Sequence, residues 1–149
     1  MMKEINVKIQ ILNNAVGKPE YSSLQASGLD LKAGVKKNIK IKSKDFNIIP
    51  TGIIIEIPQG FEAQVRPRSG LAANNGITVL NSPGTIDSDY RGEIKVVLIN
   101  LGESEFLITP GMRIAQLVIS PTYKANISFV KEILSNTKRG KKGFGSTGL

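Results

Sequence analysis

Apolar and polar positions alternate with a period of two along much of this chain, the spacing of side chains on a half-buried β-strand. Between Ile5 and Leu12, the residues Ile5, Val7, Ile9 and Ile11 share one face. Between Lys36 and Asp45, Lys40, Lys42 and Lys44 oppose Ile39 and Ile41, which predicts a strand with a basic, solvated face. The Pro50-Thr51-Gly52 turn leads into Ile53 to Ile57, apolar enough for burial on both faces, and Pro58-Gln59-Gly60 ends it. Phe61 to Arg68 alternates again, with Ala63 and Val65 on one side and Gln64 and Arg66 on the other. Ile77 to Leu80, Ile94 to Leu101, Phe106 to Thr109, Met112 to Ile119 and Asn126 to Lys131 read as further strands. One helix signal stands among them: Ser69 as N-cap, Leu71-Ala72-Ala73 as helix formers and Gly76 as terminator. About a dozen short strands divided by turn residues, with one brief helix, predict an all-β sandwich or barrel.

Chemistry concentrates in Gly84-Thr85-Ile86-Asp87-Ser88-Asp89-Tyr90-Arg91-Gly92-Glu93, a polar run between apolar β-branched stretches. That pattern reads as the bend of a hairpin, with the strands supplying rigidity. A carboxylate beside a flat aromatic ring suits proton abstraction next to a ring-bearing substrate. Asp-Ser-Asp is also ordinary turn chemistry, because these side chains bond nearby backbone N–H groups. Upstream, a strand ending in Arg68 opens the helix at Ser69-Gly70, which brings charge, a hydroxyl and free N–H groups to one anion-binding point. Asp30 lies between Leu29 and Leu31 and points away from the face they fill, where it could hold a metal, hold an arginine or face solvent.

Composition removes chemistries. The chain has 149 residues, enough for one domain with a sizeable core, and contains neither cysteine nor histidine. Thiolate nucleophiles, histidine triads and His/Cys zinc sites are excluded, leaving carboxylates, lysine, hydroxyls or a metal held by oxygen. A net charge of +8 attracts polyanions, but tryptophan is absent and aromatics are 5%, so stacking platforms are few and no specific nucleic acid is expected. The N-terminal pattern is that of a strand and not of a signal peptide, and no apolar run is long enough to cross a bilayer. With no cysteine, these features predict a cytoplasmic protein with no membrane partner. After Ile133 the composition shifts: 135–149 has no acidic residue, four basic ones, four glycines and the lone aromatic Phe144. The chain therefore divides into a β-domain over 1–134 and a flexible arm over 135–149.

Five stretches, in order, resemble the homotrimeric deoxyuridine triphosphatase (dUTPase) family along nearly the whole chain. They are Ser27-Gly28-Leu29-Asp30-Leu31, Pro67-Arg68-Ser69-Gly70, Gly84-Thr85-Ile86-Asp87 through Tyr90-Arg91-Gly92, Arg113-Ile114-Ala115-Gln116-Leu117, and Arg139-Gly140 through Gly143-Phe144-Gly145-Ser146-Thr147-Gly148. The resemblance implies a jelly-roll-like distorted β-barrel assembled as a homotrimer whose sites are each built from all three subunits. It implies hydrolysis of dUTP to dUMP and pyrophosphate with Mg²⁺, which supplies dUMP for thymidylate synthesis and keeps uracil out of DNA. Asp87 would then activate the water that attacks the α-phosphorus, and Tyr90 would pack on the deoxyribose where a 2′-hydroxyl would need to fit. Asn81 and the backbone of Gly84, Thr85, Ile86 and Asp87 would read uracil, with Lys95 contacting the nucleotide. Arg68, Ser69 and Gly70 would hold the phosphate chain, with Gln116 from a neighbouring subunit, and Asp30 would organise water around Mg²⁺. The arm would close with Phe144 over uracil and with Arg139 and the Ser146-Thr147-Gly148 backbone around the γ-phosphate, Gly145 between them also binding substrate.

Two departures from the family pattern, Lys142 for a frequent glycine and Thr85 for a common valine, touch none of these roles. Deoxycytidine triphosphate deaminase shares the fold but turns on a differently placed glutamate. A basic binding module on the same fold would not require Asp87, Tyr90 and the arm together.

Overall fold

In a computed structural model, which describes residues 4–133 and 137–141, the alternating stretches become eleven strands and one helix. The strands are β1 (Lys8–Ile11), β2 (Leu29–Lys32), β3 (Ile39–Ile41), β4 (Phe46–Pro50), β5 (Ile53–Glu56), β6 (Phe61–Arg66), β7 (Ile77–Val79), β8 (Gly84–Ile86), β9 (Lys95–Asn100), β10 (Phe106–Ile108) and β11 (Arg113–Pro121), with α1 (Ser69–Asn75) between β6 and β7. A four-stranded sheet in the order β2-β11-β6-β8 and a three-stranded sheet β4-β9-β7 form the larger ladders, with the pairs β1-β5 and β10-β3 beside them. Every pairing is antiparallel. Leu31, Ile49, Ile55, Val96, Leu98 and Leu117, drawn from all but the β10-β3 pair, meet in one buried core to which Ile41 and Ile108 add that pair. Each such side chain contributes ~1.5–3 kcal/mol on full burial.

Asn100, at the end of β9, is fully buried and its amide is fully used. Its Nδ2 donates to the carbonyls of Ile41 and Ser104 at 2.9 and 2.8 Å, and its Oδ1 accepts from the Gly102 N–H at 2.9 Å. It ties β9 to β3 where an apolar residue would strand three backbone groups.

Four expectations need correction. The run from Gly84 to Glu93 is not a ladder hairpin: β8 pairs with β6, whereas β9 pairs with β4 and β7 in another sheet. Residues 87–94 cross between sheets, because each flanking strand finds its partner elsewhere in the chain. Pro50, expected to open a turn, instead ends the strand Phe46–Pro50, where a proline is tolerated because β4 is an edge strand. No strand forms over 126–131; this stretch has no ladder partner among the described residues, and 121–133 are exposed throughout. Finally, the extended N-cap of α1 is Arg68, without a side-chain cap bond, and Ser69 is already inside the helix. Gly76 ends it as expected, in the left-handed region at φ 67°.

Of the arm expected over 135–149, only residues 137–141 are described. Among the described residues no helix is long and apolar enough to cross a membrane.

Candidate active site

The stretch from Asn81 to Lys95 brings one group of predicted residues together. The β8–β6 ladder, from Ala63 opposite Ile86 to Val65 opposite Gly84, holds Gly84, Thr85 and Ile86 on a rigid sheet. Asn81 lies over Gly84, where an added methyl would come within 3.3 Å of its Nδ2. Asp87 follows directly and is exposed. A cavity of about 500 Å³ is lined by Thr85, Ile86, Asp87, Tyr90, Gly92, Glu93 and Lys95. The Tyr90 N–H donates to the Asp87 carbonyl at 3.1 Å, which folds a turn at the mouth. The Tyr90 hydroxyl donates to the Glu93 carbonyl, also at 3.1 Å. Arg91 donates from Nη1 to the carbonyls of Ser88 and Tyr90 at 2.7 and 2.9 Å, so its charge braces the loop. An accessible carboxylate, an aromatic wall and a lysine around one cavity can orient a water beside a flat, anionic ligand.

The second group sits on β2, β11 and the β6–α1 junction. Arg113 donates from Nη1 to Asp30 Oδ2 at 3.0 Å, and Arg68 Nε lies 3.7 Å from Asp30 Oδ1. Of the three possibilities open for Asp30, arginine pairing is the one seen; its side chain is only 16% exposed. Arg68 also donates from Nη1 to the Arg113 carbonyl at 2.8 Å. Two guanidinium groups around one carboxylate leave excess positive charge, which favours phosphate. Gln116 donates from Nε2 to the Pro67 carbonyl at 3.1 Å and packs against Gly28, where any side chain would collide with it. Ser69 and Gly70 are exposed at the start of α1.

Arg68, Ser69, Gly70 and Gln116 do not line the cavity beside Asp87, so a single chain holds the two groups apart. Arg139 is exposed at the start of the arm, while Phe144, Gly145, Ser146 and Thr147 lie outside the described residues. Among the described residues no cluster of three or more carboxylate, His or Cys side chains could cage a metal.

Three residues with a structural part in these groups had no role in the sequence reading. Arg113 stood in a quoted stretch, but nothing along the chain says that β11 pairs with β2 and puts it over Asp30. Gly92 and Glu93 closed the polar run, and only the fold shows what they touch.

Residues 15–148 match the family model for dUTPase. The chain belongs to the dUTPase family. Its sequence is 58% identical to a deoxyuridine 5′-triphosphate nucleotidohydrolase of Rickettsia bellii (strain OSU 85-389) over 144 residues, covering 96% of this chain and 95% of that one. A protein of the same name from Chlamydia pneumoniae is 58% identical over 130 residues, covering 87% of this chain and 90% of that one. Among solved structures, a dUTPase of Staphylococcus bacteriophage 80alpha with dUPNHPP aligns at TM-score 0.83 and 25% identity, covering 97% of this chain and 99% of that one. A mutant dUTPase from phage phi11 of S. aureus, described as coordinating a structural Mg(II) ion, aligns at TM-score 0.78 and 20% identity, covering 88% of this chain and 100% of that one. At that identity the second likeness speaks for the fold alone. The dUTPase match spans all five motif stretches, and the all-β fold with one short helix is that of the dUTPase family.

Proposed function

We propose that this protein is a dUTP diphosphatase that cleaves dUTP to dUMP and pyrophosphate. What carries the reading is Asp87 beside Tyr90 and Lys95 around one cavity, in a chain 58% identical to named deoxyuridine triphosphate nucleotidohydrolases. Asp87 orients a water and takes its proton as it attacks the α-phosphorus, a contribution of ~10²–10⁴ in rate. Tyr90 walls off the sugar, and Asn81 with the backbone of Gly84, Thr85, Ile86 and Asp87 pairs with the edge of uracil. Arg68, Ser69, Gly70 and Gln116 take the phosphate chain.

In one chain the Arg68 group does not line the cavity beside Asp87, which supports a homotrimer in which the Asp87 half-site of one subunit meets the Arg68 half-site of another. Arg139, Phe144, Gly145, Ser146 and Thr147 then close from the arm, excluding water as the ligand is bound. Mg²⁺ would neutralise charge on the triphosphate oxygens while keeping much of its hydration. Asp30, already paired with Arg113 and Arg68, would act on that ion only indirectly, through water of its shell, with the triphosphate supplying the negative charge that holds it. Acting in the cytoplasm, the enzyme would supply dUMP and keep uracil out of DNA.

The test is pyrophosphate release from dUTP, dTTP, dCTP and UTP in separate incubations, with the solution mass measured alongside. Release from dUTP alone by a trimer is the expected result. Ammonia release from dCTP would make the protein a deaminase, and no release from any nucleotide would leave a binding module.

A further inference from the structure

The loop over 87–94 bridges two sheets, so nothing in its flanking ladders fixes the angle at which Tyr90 stands over the cavity. The structure supplies that constraint from outside the loop. Glu93 is half-buried, and its Oε1 accepts two hydrogen bonds, from Asn14 Nδ2 and from the Gly52 N–H, each at 2.8 Å. Asn14 is itself held by the Gly34 carbonyl at 3.3 Å. The carboxylate thus pins the end of the loop to turns that flank β1 and β5. The backbone carbonyl of the same Glu93 accepts the Tyr90 hydroxyl at 3.1 Å. Gly92 completes the seat: a Cβ there would overlap the hydroxyl, Cζ and Cε2 of the ring, so the ring rests on bare backbone. Beside the bonds that tie Ile94 to Ile53 and Thr51, Glu93 therefore anchors the loop through its side chain and the ring through its main chain.

We propose that Glu93 is a positioning residue that holds Tyr90 rigid through its bonds to Asn14 and Gly52, and that this rigidity, with the seat at Gly92, sets discrimination between deoxyribose and ribose. The proposal rests on the function proposed above, in which Tyr90 faces the sugar. A wall excludes an extra hydroxyl only while it cannot yield. A site that merely lacks a partner for that hydroxyl rejects it by only about 10²-fold; discrimination beyond that needs a wall that does not swing aside.

Two measurements test this. The first is the ratio of kcat/KM for dUTP to that for UTP in wild type, Glu93→Ala, Glu93→Gln and Asn14→Ala. Glu93→Ala and Asn14→Ala should lower the ratio by about tenfold or more, mainly through improved use of UTP, a change that general destabilisation would not cause. Glu93→Gln keeps an acceptor oxygen and should restore most of the ratio, which separates geometry from charge. A ratio unchanged in Glu93→Ala would overturn the proposal. The second measurement needs no turnover: tyrosine-ring NMR signals, with Tyr90 assigned through Tyr90→Phe. These signals should shift or broaden in Glu93→Ala and in Gly92→Ala and stay in place in Glu93→Gln. Unmoved Tyr90 signals in Glu93→Ala would refute the anchor even in a protein that hydrolysed nothing, whereas moved signals without dUTP turnover would refute only the assigned function.

Discussion

Asp87 owes little to its surroundings for stability and, on the proposed mechanism, supplies the proton acceptor. It is exposed, follows the last residue of β8, and its backbone carbonyl, not its carboxylate, closes the turn to Tyr90. Asp87→Asn preserves size and turn-forming capacity but cannot take a proton. The expected outcome is unfolding stability within about 0.5 kcal/mol of wild type, retained binding of a non-hydrolysable dUTP analogue, and kcat lowered by at least ~10²–10⁴. Calorimetric binding and single-turnover kinetics read these separately, and turnover within tenfold of wild type would remove the residue from its role. From its own stretch alone Asp87 could not be told from a turn aspartate, because the two uses of the side chain demand the same residue at the same bend; the four other motif stretches are what single it out. Asn100 carries the opposite lesson. It interrupts an almost unbroken apolar run, and only the fold shows that its amide meets three backbone groups around the end of β9.

The strands whose pattern is self-contained were legible. Ile53–Glu56 and Lys95–Asn100 are apolar enough to demand burial wherever their partners lie. What the chain does not state is pairing, and both the expected hairpin and the expected last strand failed there. The expected hairpin dissolves because β8 and β9 have non-local partners, and 126–131 keeps a strand-like composition without a ladder partner among the described residues. β1 shows what pairing adds. Its register sets Lys8 opposite Glu56, and Lys8 Nζ donates to Glu56 Oε1 at 2.9 Å. That hydrogen bond, then the lysine's charge, lowers the Glu56 pKa from the ordinary glutamate value, with Arg91 adding a smaller effect and desolvation opposing. Because the folded-state pKa is the depressed one, the contribution is complete above the ordinary glutamate range and is lost as pH falls through the lowered value. Both side chains are well exposed, at 80% and 50%, so the effect belongs to local titration more than to global stability. Lys8→Ala should move the Glu56 carboxyl titration upward in an NMR pH series. A curve that does not move would show that the pair is not formed in solution.

At the scale of the molecule, apolar surface lies uncovered where a lone chain has no use for it. On the outer face of the three-stranded sheet, Phe46 and Ile48 of β4 stand opposite Ile99 and Val97 of β9, and Leu80 lies just past β7. Phe46, Ile48 and Leu80 are 53%, 52% and 48% exposed. Beyond β11, Tyr123, Ile127, Phe129, Val130 and Ile133 are exposed on a segment without a ladder partner among the described residues. Contiguous apolar area of this kind marks an interface, and full burial of each side chain contributes ~1.5–3 kcal/mol. On the proposed assembly the same contacts must bring Asp87 of one subunit to Arg68 and Gln116 of another, so association and catalysis fall together. Ile48→Lys places a charge in the exposed face without touching either half-site. Its β-sheet circular dichroism should persist, its mass by light scattering should drop from trimer to monomer, and kcat/KM for dUTP should fall in proportion to the trimer lost. Recovery of activity at higher protein concentration would tie the loss to assembly, since a mass-action defect is relieved by concentration and a damaged site is not. An intact trimer in the lysine variant would move the interface to another face, and a fully active monomer would end the case for shared sites.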